Sequence, residues 1–457
     1  MNIEINTEEL VELVKTKDFR KLKFLLERLN EVDVAEFLEE LPLKEAVLVY
    51  RMLPKAEASD VFAFLPLEIQ QEIIMTITDA ELKDVVEELY MDDMVDMLEE
   101  LPASVVRRVL ESATPETRKL VNQFLNYPEN SAGSIMTAEY IALKKAMTVS
   151  NAFDYIRKNG QDKESIYVLF VTDAERHLEG IVTVKDLLMH QYEERIEDIM
   201  DTNVICCTTT DDQEDAANIM KKYDLMSLAV VDTENRLVGL ITVDDAVDVL
   251  QEETTEDMQK MAAMLPTERP YLKTSIFEIW KSRIPWLMLL MVSATFTGLI
   301  IDSFENALAA YAVLTGFIPM LMDTGGNSGS QASVTVIRGL SLKEIEFSDL
   351  LLVIWKEIRV ALCCGVALGC INFIKILVID GMLFGRSEIT LMVDLVVCAT
   401  LVVTVLCAKV IGCTLPMLAD RLGFDPAVMA SPFITTLVDA VSLLIYFQFA
   451  KMFLGIA

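Results

Sequence analysis

The chain has 457 residues, enough for several domains, with 39 Lys and Arg against 71 Asp and Glu (formal net charge −32), yet 53% of it is hydrophobic. Only 12 basic and 14 acidic residues fall in 272–457, so residues 1–271 carry a net charge of −30. Such a surface repels nucleic acid and gathers cations, and two histidines with eight cysteines in no CxxC spacing leave little for a zinc or disulfide framework, whereas oxygen ligands for hard cations abound.

The opening MNIEINTEEL has neither a basic n-region nor an apolar h-region, so the first half is expected to stay in the cytosol. Residues 1–130 are helix-like throughout. The stretch DVAEFLEELP (33–42) recurs loosely as DVFAFLPLE (60–68) and DVVEELYMDDMVDMLEELP (84–102). Leu-Pro steps end at Pro42, Pro54, Pro66 and Pro102, and proline stops one helix and suits the first turn of the next. Short amphipathic helices repeating every ~25 residues predict an all-α superhelical domain.

Residues 131–250 hold two units of one layout, 131–193 and 194–250. Each starts with an Ile-Met-Thr or Ile-Met-Asp step (135–137 and 199–201). Each continues with an apolar strand, a polar turn, a second strand closing on Gly180-IVTVKD or Gly239-LITVDD, and a helix. The alternation predicts α/β units. The pair resembles tandem CBS domains, regulatory modules many of which bind adenine nucleotides. The resemblance implies that Thr183 and Asp186, and Thr242 and Asp245, help hold a ribose, with ATP as the candidate ligand. The same residues can equally cap the helices that follow them, and both readings stand.

Residues 251–281 read as a connecting helix followed by Pro266 and Pro270. From 282 to 457 hydropathy predicts five membrane spans: Pro285–Ile301, Ala307–Met322, Arg359–Ile379, Leu391–Leu418 and Pro432–Leu454. Most are near the ~20 residues a bilayer requires. Lys281, Arg283, Arg338, Lys343, Lys356, Arg359 and Arg421 flank one side and Arg386 and Lys451 the other. This bias places the N-terminal half in the cytosol and the C-terminus outside a cell membrane.

Two membrane segments carry the chemistry. The run PMLMDTGGNSGSQASVTVIRGL (319–340) has glycines at 325, 326 and 329 that are expected to break the helix and free backbone carbonyls beside Asn327, Ser328, Ser330 and Gln331. In PFITTLVDAVSLLIYF (432–447), Asp439 stands about two turns inside an apolar helix, where a carboxylate costs roughly 2.5–3.5 kcal/mol on insertion scales. It must face a pore or pair with a cation such as Lys409. The Pro…Gly-Gly-Asn-x-Gly-x-Gln run, the Thr-Thr-x-x-Asp step and the order of domains resemble the MgtE family of magnesium channels and transporters over nearly the whole chain.

The resemblance implies a homodimer in the lipid bilayer whose spans line one pore. Asp439, Asn327, Gly326 and Thr436 would contact a hydrated Mg2+. It also implies feedback: cytosolic Mg2+ would bridge Asp92, Asp93 and Asp96 of the helical domain, Asp245 and Asp248 of the second CBS unit, and Glu252, Glu253, Glu256 and Asp257 of the connecting helix. Lys409 has no role in that picture and is expected to face away from the pore. Composition does not separate Mg2+ from Mn2+ or Co2+. The alternative class is a membrane-anchored CBS nucleotide sensor. An enzyme is disfavoured, since the chain has no P-loop, nucleophile motif or histidine-based metal site.

Overall fold

A computed structural model describes residues 7–455 apart from 162, 268–270, 273, 306–308, 310, 384–388 and 430. Pro270 and Arg386 therefore lie outside the described residues. The chain divides into two compact units, Met1–Gln251 and Glu252–Ala457.

The first unit opens with a run of short helices: α1 (Thr7–Thr16), α2 (Phe19–Leu26), α3 (Glu31–Glu40), α4 (Leu43–Tyr50), α5 (Lys55–Ala63), α6 (Leu67–Thr76), α7 (Asp79–Glu88), α8 (Met91–Glu100), α9 (Ala103–Ser112) and α10 (Pro115–Phe124). The Leu-Pro steps do what their chemistry dictates. Pro42, Pro54, Pro66 and Pro102 each stand at an N-cap with φ near −57°, so the missing N–H costs no helical hydrogen bond. Where proline is absent, Thr78 and Glu81 form a capping box that starts α7. Leu22, Phe37, Leu38, Ile73, Leu82 and Met94 line a continuous apolar core.

Two three-stranded sheets follow. The first is β1 (Ala142–Leu143), β2 (Val168–Thr172) and β3 (Leu178–Thr183); the second is β4 (Cys206–Thr208), β5 (Ser227–Val231) and β6 (Leu237–Thr242). In both, the first pair is parallel and the second antiparallel. Helices α11 (Val149–Asn159), α12 (Val184–Met189), α13 (Ile196–Ile199) and α14 (Gln213–Tyr223) connect and flank the strands. The Ile-Met segments cross between sheets. Thr137 exchanges backbone hydrogen bonds with Leu240 of β6 (2.8 and 3.0 Å), and Asp201 with Ile181 of β3 (2.9 Å each). The crossing explains the repeated glycine, because a Cβ on Gly239 would lie 2.6 Å from the Thr137 carbonyl oxygen.

Helix α15 (Val243–Met261) contains the boundary between the units. The second unit then holds α16 (Ile276–Ser303), α17 (Ile318–Ser341), α18 (Leu350–Lys375), α19 (Leu391–Arg421) and α20 (Ser431–Leu454). A 3-10 turn, Ala312–Phe317, leads into α17, and a π-helical stretch, Ile376–Leu383, extends α18. Helix α19 packs against α17, α18 and α20, and α16 packs against α20. Among the described residues, four stretches are long and apolar enough to cross a membrane: Ile276–Ser303, Phe347–Asp380, Leu391–Arg421 and Pro426–Leu454.

Two expectations change here. The second span, read as Ala307–Met322, is replaced by α17, which starts only at Ile318; Ala307, Leu308 and Ala310 lie outside the described residues. At 24 residues α17 is long enough to cross, but its polar residues keep it out of the apolar set. The predicted break at Gly325, Gly326 and Gly329 is also absent, because α17 runs helical through all three. They serve close packing. A Cβ on Gly325 would meet Ser442 Oγ and Thr404 Cγ2 at 2.8 Å, and one on Gly412 of α19 would lie 2.2 Å from the Gly329 carbonyl oxygen. Small residues let membrane helices approach this closely. The Gly326 carbonyl accordingly belongs to a helical backbone instead of being freed for an ion.

Candidate ion sites

In the first unit the acids of α8 meet those at the start of α15. Asp92 is only 8% exposed, and its Oδ1 has no hydrogen-bond partner. Burial first, then the charges of Asp245, Asp93 and Glu164, push its carboxyl well above the ordinary range. Asp93 rises to about 6 through burial and then Asp245, Asp244 and Asp60. Glu164, which precedes β2, rises to about 8 through burial and then Asp245, Asp93, Asp244 and Glu139, and its Oε2 also lacks a partner. Desolvated like charges oppose one another's ionisation. A divalent cation with oxygen preference fits, because it would discharge the cluster and occupy the orphaned oxygens. Asp96 and Asp248 lie on exposed positions of α8 and α15. The cluster thus gathers Asp92, Asp93, Asp245 and Glu164.

Thr183 caps α12. Thr183 Oγ1 donates to Asp186 Oδ2 at 2.6 Å, and the Asp186 amide donates back to Thr183 Oγ1 at 3.1 Å. Thr242 Oγ1 likewise donates to Asp245 Oδ2. Capping engages these side chains but leaves exposed faces beside them, with Tyr167 and Tyr192 more than half exposed.

Within the second unit, Glu252 is exposed and Glu253 partly exposed on α15. Glu256 and Asp257 are engaged. Lys260 Nζ bridges Glu256 and Asp425, 2.7 Å from each, and Ser341 Oγ donates to Asp257 at 3.4 Å. Burial and then Asp425 raise the Asp257 carboxyl.

The glycine face of α17 is buried, whereas Asp323, Asn327 and Gln331, spaced four residues apart, share an exposed face. Asn327 Nδ2 donates to Asp323 Oδ1 at 3.2 Å. Asp439 of α20 is partly exposed, and the neighbouring charge acting on it is that of Asp323. Thr436 Oγ1 donates to the Pro432 carbonyl at 2.9 Å. A polar stripe cannot face lipid without cost, so it faces water or protein. Lys409 is not the partner of Asp439: it is buried, with Nζ 3.6 Å from Glu357 Oε2 of α18. Asp394 is also buried and accepts from Cys398 Sγ at 3.4 Å.

Residues 318–449 match the family described as MgtE, divalent cation transporter. Residues 29–130 match the MgtE intracellular N domain, and 132–193 and 196–252 match CBS domains. A magnesium transporter MgtE of Thermus thermophilus is 34% identical over 449 residues, which is 97% of this chain and 98% of the relative. This chain belongs to the MgtE family. A second magnesium transporter MgtE, from Bacillus subtilis, is 31% identical over 96% of this chain and 95% of its own. The crystal structure of the cytosolic domain of the Mg2+ channel MgtE in complex with ATP aligns with 36% identity and a TM-score of 0.51, covering 53% of this chain and 99% of that one. Like the family, this MgtE member is a membrane protein with a helical N-terminal domain, a CBS pair and an apolar helical C-terminal region. Glu164 and Asp323 give no signal in the sequence: one lies in a loop, and the other is one more polar residue of the glycine-rich run.

Proposed function

We propose that this chain conducts Mg2+ into the cell down its gradient, as a homodimer whose pathway is lined by α17 and α20. The observation that carries the reading is the stripe Asp323, Asn327 and Gln331 beside Asp439, polar groups on helices that are otherwise apolar or tightly packed. Helix α17 then acts as the fifth span. A single protomer leaves this stripe exposed, and a second copy across it would enclose a wet, acidic path. Mg2+ dehydrates reluctantly, so carboxylates facing water suit it through its hydration shell. Mn2+ and Co2+ share that coordination chemistry and are the competing cargoes. Asp439, Asn327 and Thr436 are the pore residues of this reading, with Asp323 added and Gly326 as a packing residue.

Regulation follows from the acid cluster. Mg2+ held by Asp92, Asp93, Asp245 and Glu164 favours the compact arrangement of the first unit. One helix, α15, carries Asp245 near its start and Glu256 and Asp257 near its end, so an ion bound at the start biases the state of the whole helix. ATP at the CBS pair is a further ligand of this reading, supported by the ATP complex of the related cytosolic domain. The N-terminal half lies in the cytosol and the C-terminus outside the plasma membrane. The test is Mg2+ uptake by Mg2+-starved cells expressing the chain or its Asp439→Ala variant. Uptake is expected to vanish in the variant, and equal uptake by both would sink the pore assignment.

A further inference from the structure

Glu357 and Lys409 are intramembrane charges that transport leaves unexplained. Lys409 lies 12 residues inside the end of α19, about 18 Å along the helix, and is 5% exposed. Its Nζ stands 3.6 Å from Glu357 Oε2, too far for a hydrogen bond, and that oxygen accepts none among the described residues. Buried ion pairs are weak sources of stability, and their best-attested use is to specify register. The neighbouring turn of α19 shows what register would matter. The Ala408 carbonyl oxygen would stand 3.2 Å from a Cβ on Gly329, and Gly412 abuts the Gly329 carbonyl, so α19 meets α17 backbone to backbone one residue before and three residues after Lys409. Rotation of α19 by a fraction of a turn would replace this seat with the flanking side chains and push α17 outward.

We propose that the Glu357–Lys409 pair is a positioning element of the ion pathway. It locks the rotation of α19 from the α18 side, and through Ala408 and Gly412 holds α17 where Asp323 and Asn327 stand beside Asp439. The pair also keeps the ammonium compensated and turned towards α18. This inference rests on the transport reading.

The test is Mg2+ uptake into proteoliposomes holding the full chain, read as the half-saturating Mg2+ concentration, with the chromatographic profile and thermal unfolding in detergent as folding controls. Glu357→Gln and Lys409→Met should each raise half-saturation about ten-fold or more, since small misplacement of binding groups has effects of that size. The exchanged pair, Glu357→Lys with Lys409→Glu, should return within about three-fold of the parent. Glu357→Asp keeps both charges but shortens a reach already long, and should shift half-saturation in the same direction while folding normally. A merely structural pair would lower the yield of folded protein and leave half-saturation unmoved. Parental half-saturation in folded Glu357→Asp or in either folded single variant overturns the proposal, as does an exchanged pair that folds yet stays as impaired as the singles. If the singles do not fold, Glu357→Asp and the exchanged pair decide it by the same criteria. Absence of uptake by the parent chain would instead overturn the transport reading, and with it the pathway that the pair is proposed to position.

Discussion

At Glu164 and Asp93 the cost of holding acids together has a measurable sign. Their folded carboxyls sit at about 8 and about 6, above the ordinary value near 4 that they regain on unfolding. A raised carboxyl binds its proton more tightly in the folded state, so stability is greatest below the unfolded value and is lost as pH rises towards the folded one. Without divalent ions, the melting temperature of residues 1–270 should therefore fall between roughly pH 4 and pH 8 and level off above. Glu164→Gln should flatten the upper part of that slope. After discounting for solvent screening the effect is on the order of 2 kcal/mol, or roughly 4–8 °C. Mg2+ must displace protons to bind, so its stabilising effect should grow across the same interval. Thermal scans in chelator and in millimolar Mg2+ at several pH values check this, and a pH-independent melting temperature would contradict it. These residues also show what single positions reveal in a sequence. Asp439 was legible because it stands alone among apolar residues, the other charge of its helix, Lys451, lying in the last turn. Glu164 was not, because an acid in an acidic chain looks solvated until the fold places it against α8 and α15.

The elements divide in the same way. Leu-Pro steps are read locally, because proline constrains its own backbone whatever it packs against, and all four stand at helix starts. The Thr-x-x-Asp steps are ambiguous between cap and ligand; Thr183 and Asp186 form a capping box, and in the second unit Asp245 accepts from the amide and hydroxyl of Thr242. Glycine carries no such local rule. Whether it breaks a helix or seats a neighbour depends on the neighbour, and so the Gly325–Gly329 run predicts a break where the fold has a seat. The packing role has its own test. Gly412→Ala must separate α17 from α19, since its Cβ would meet a backbone oxygen at 2.2 Å that cannot rotate aside. A loss of about 1–3 kcal/mol in detergent and a marked fall in uptake are expected. Gly298→Ala of α16 is the control. Its Cβ meets nothing within 4 Å, and helix propensity alone should leave stability unchanged or improve it by up to about 1 kcal/mol. Similar behaviour of the two variants would show that the α17–α19 seat is softer than its distances imply.

Across the whole molecule, the charge partition was the most informative feature of the sequence, since the first 271 residues carry −30 and the rest nearly nothing. What it could not reveal was that part of this charge is buried as one cluster, which turns a general repulsion into a specific requirement. Screening by salt acts on exposed charges and falls short for desolvated ones. Millimolar Mg2+ should therefore protect residues 1–270 from proteolysis, and monovalent salt of equal ionic strength should not. The same logic fixes the outcome of removing this half. If its role is to sense the ion, a chain lacking residues 1–250 keeps α17, α20 and Asp439, and continues to take up Mg2+ when the cytosolic concentration is already high, while the intact chain stops. If the membrane helices merely anchor a CBS sensor, the truncated chain transports nothing. Asp93→Asn with Asp245→Asn in the intact chain separates sensing from mere bulk. It removes two charges of the cluster and no domain, and uptake should again persist at high internal Mg2+. Uptake that still shuts off normally in this double variant would place the sensor elsewhere.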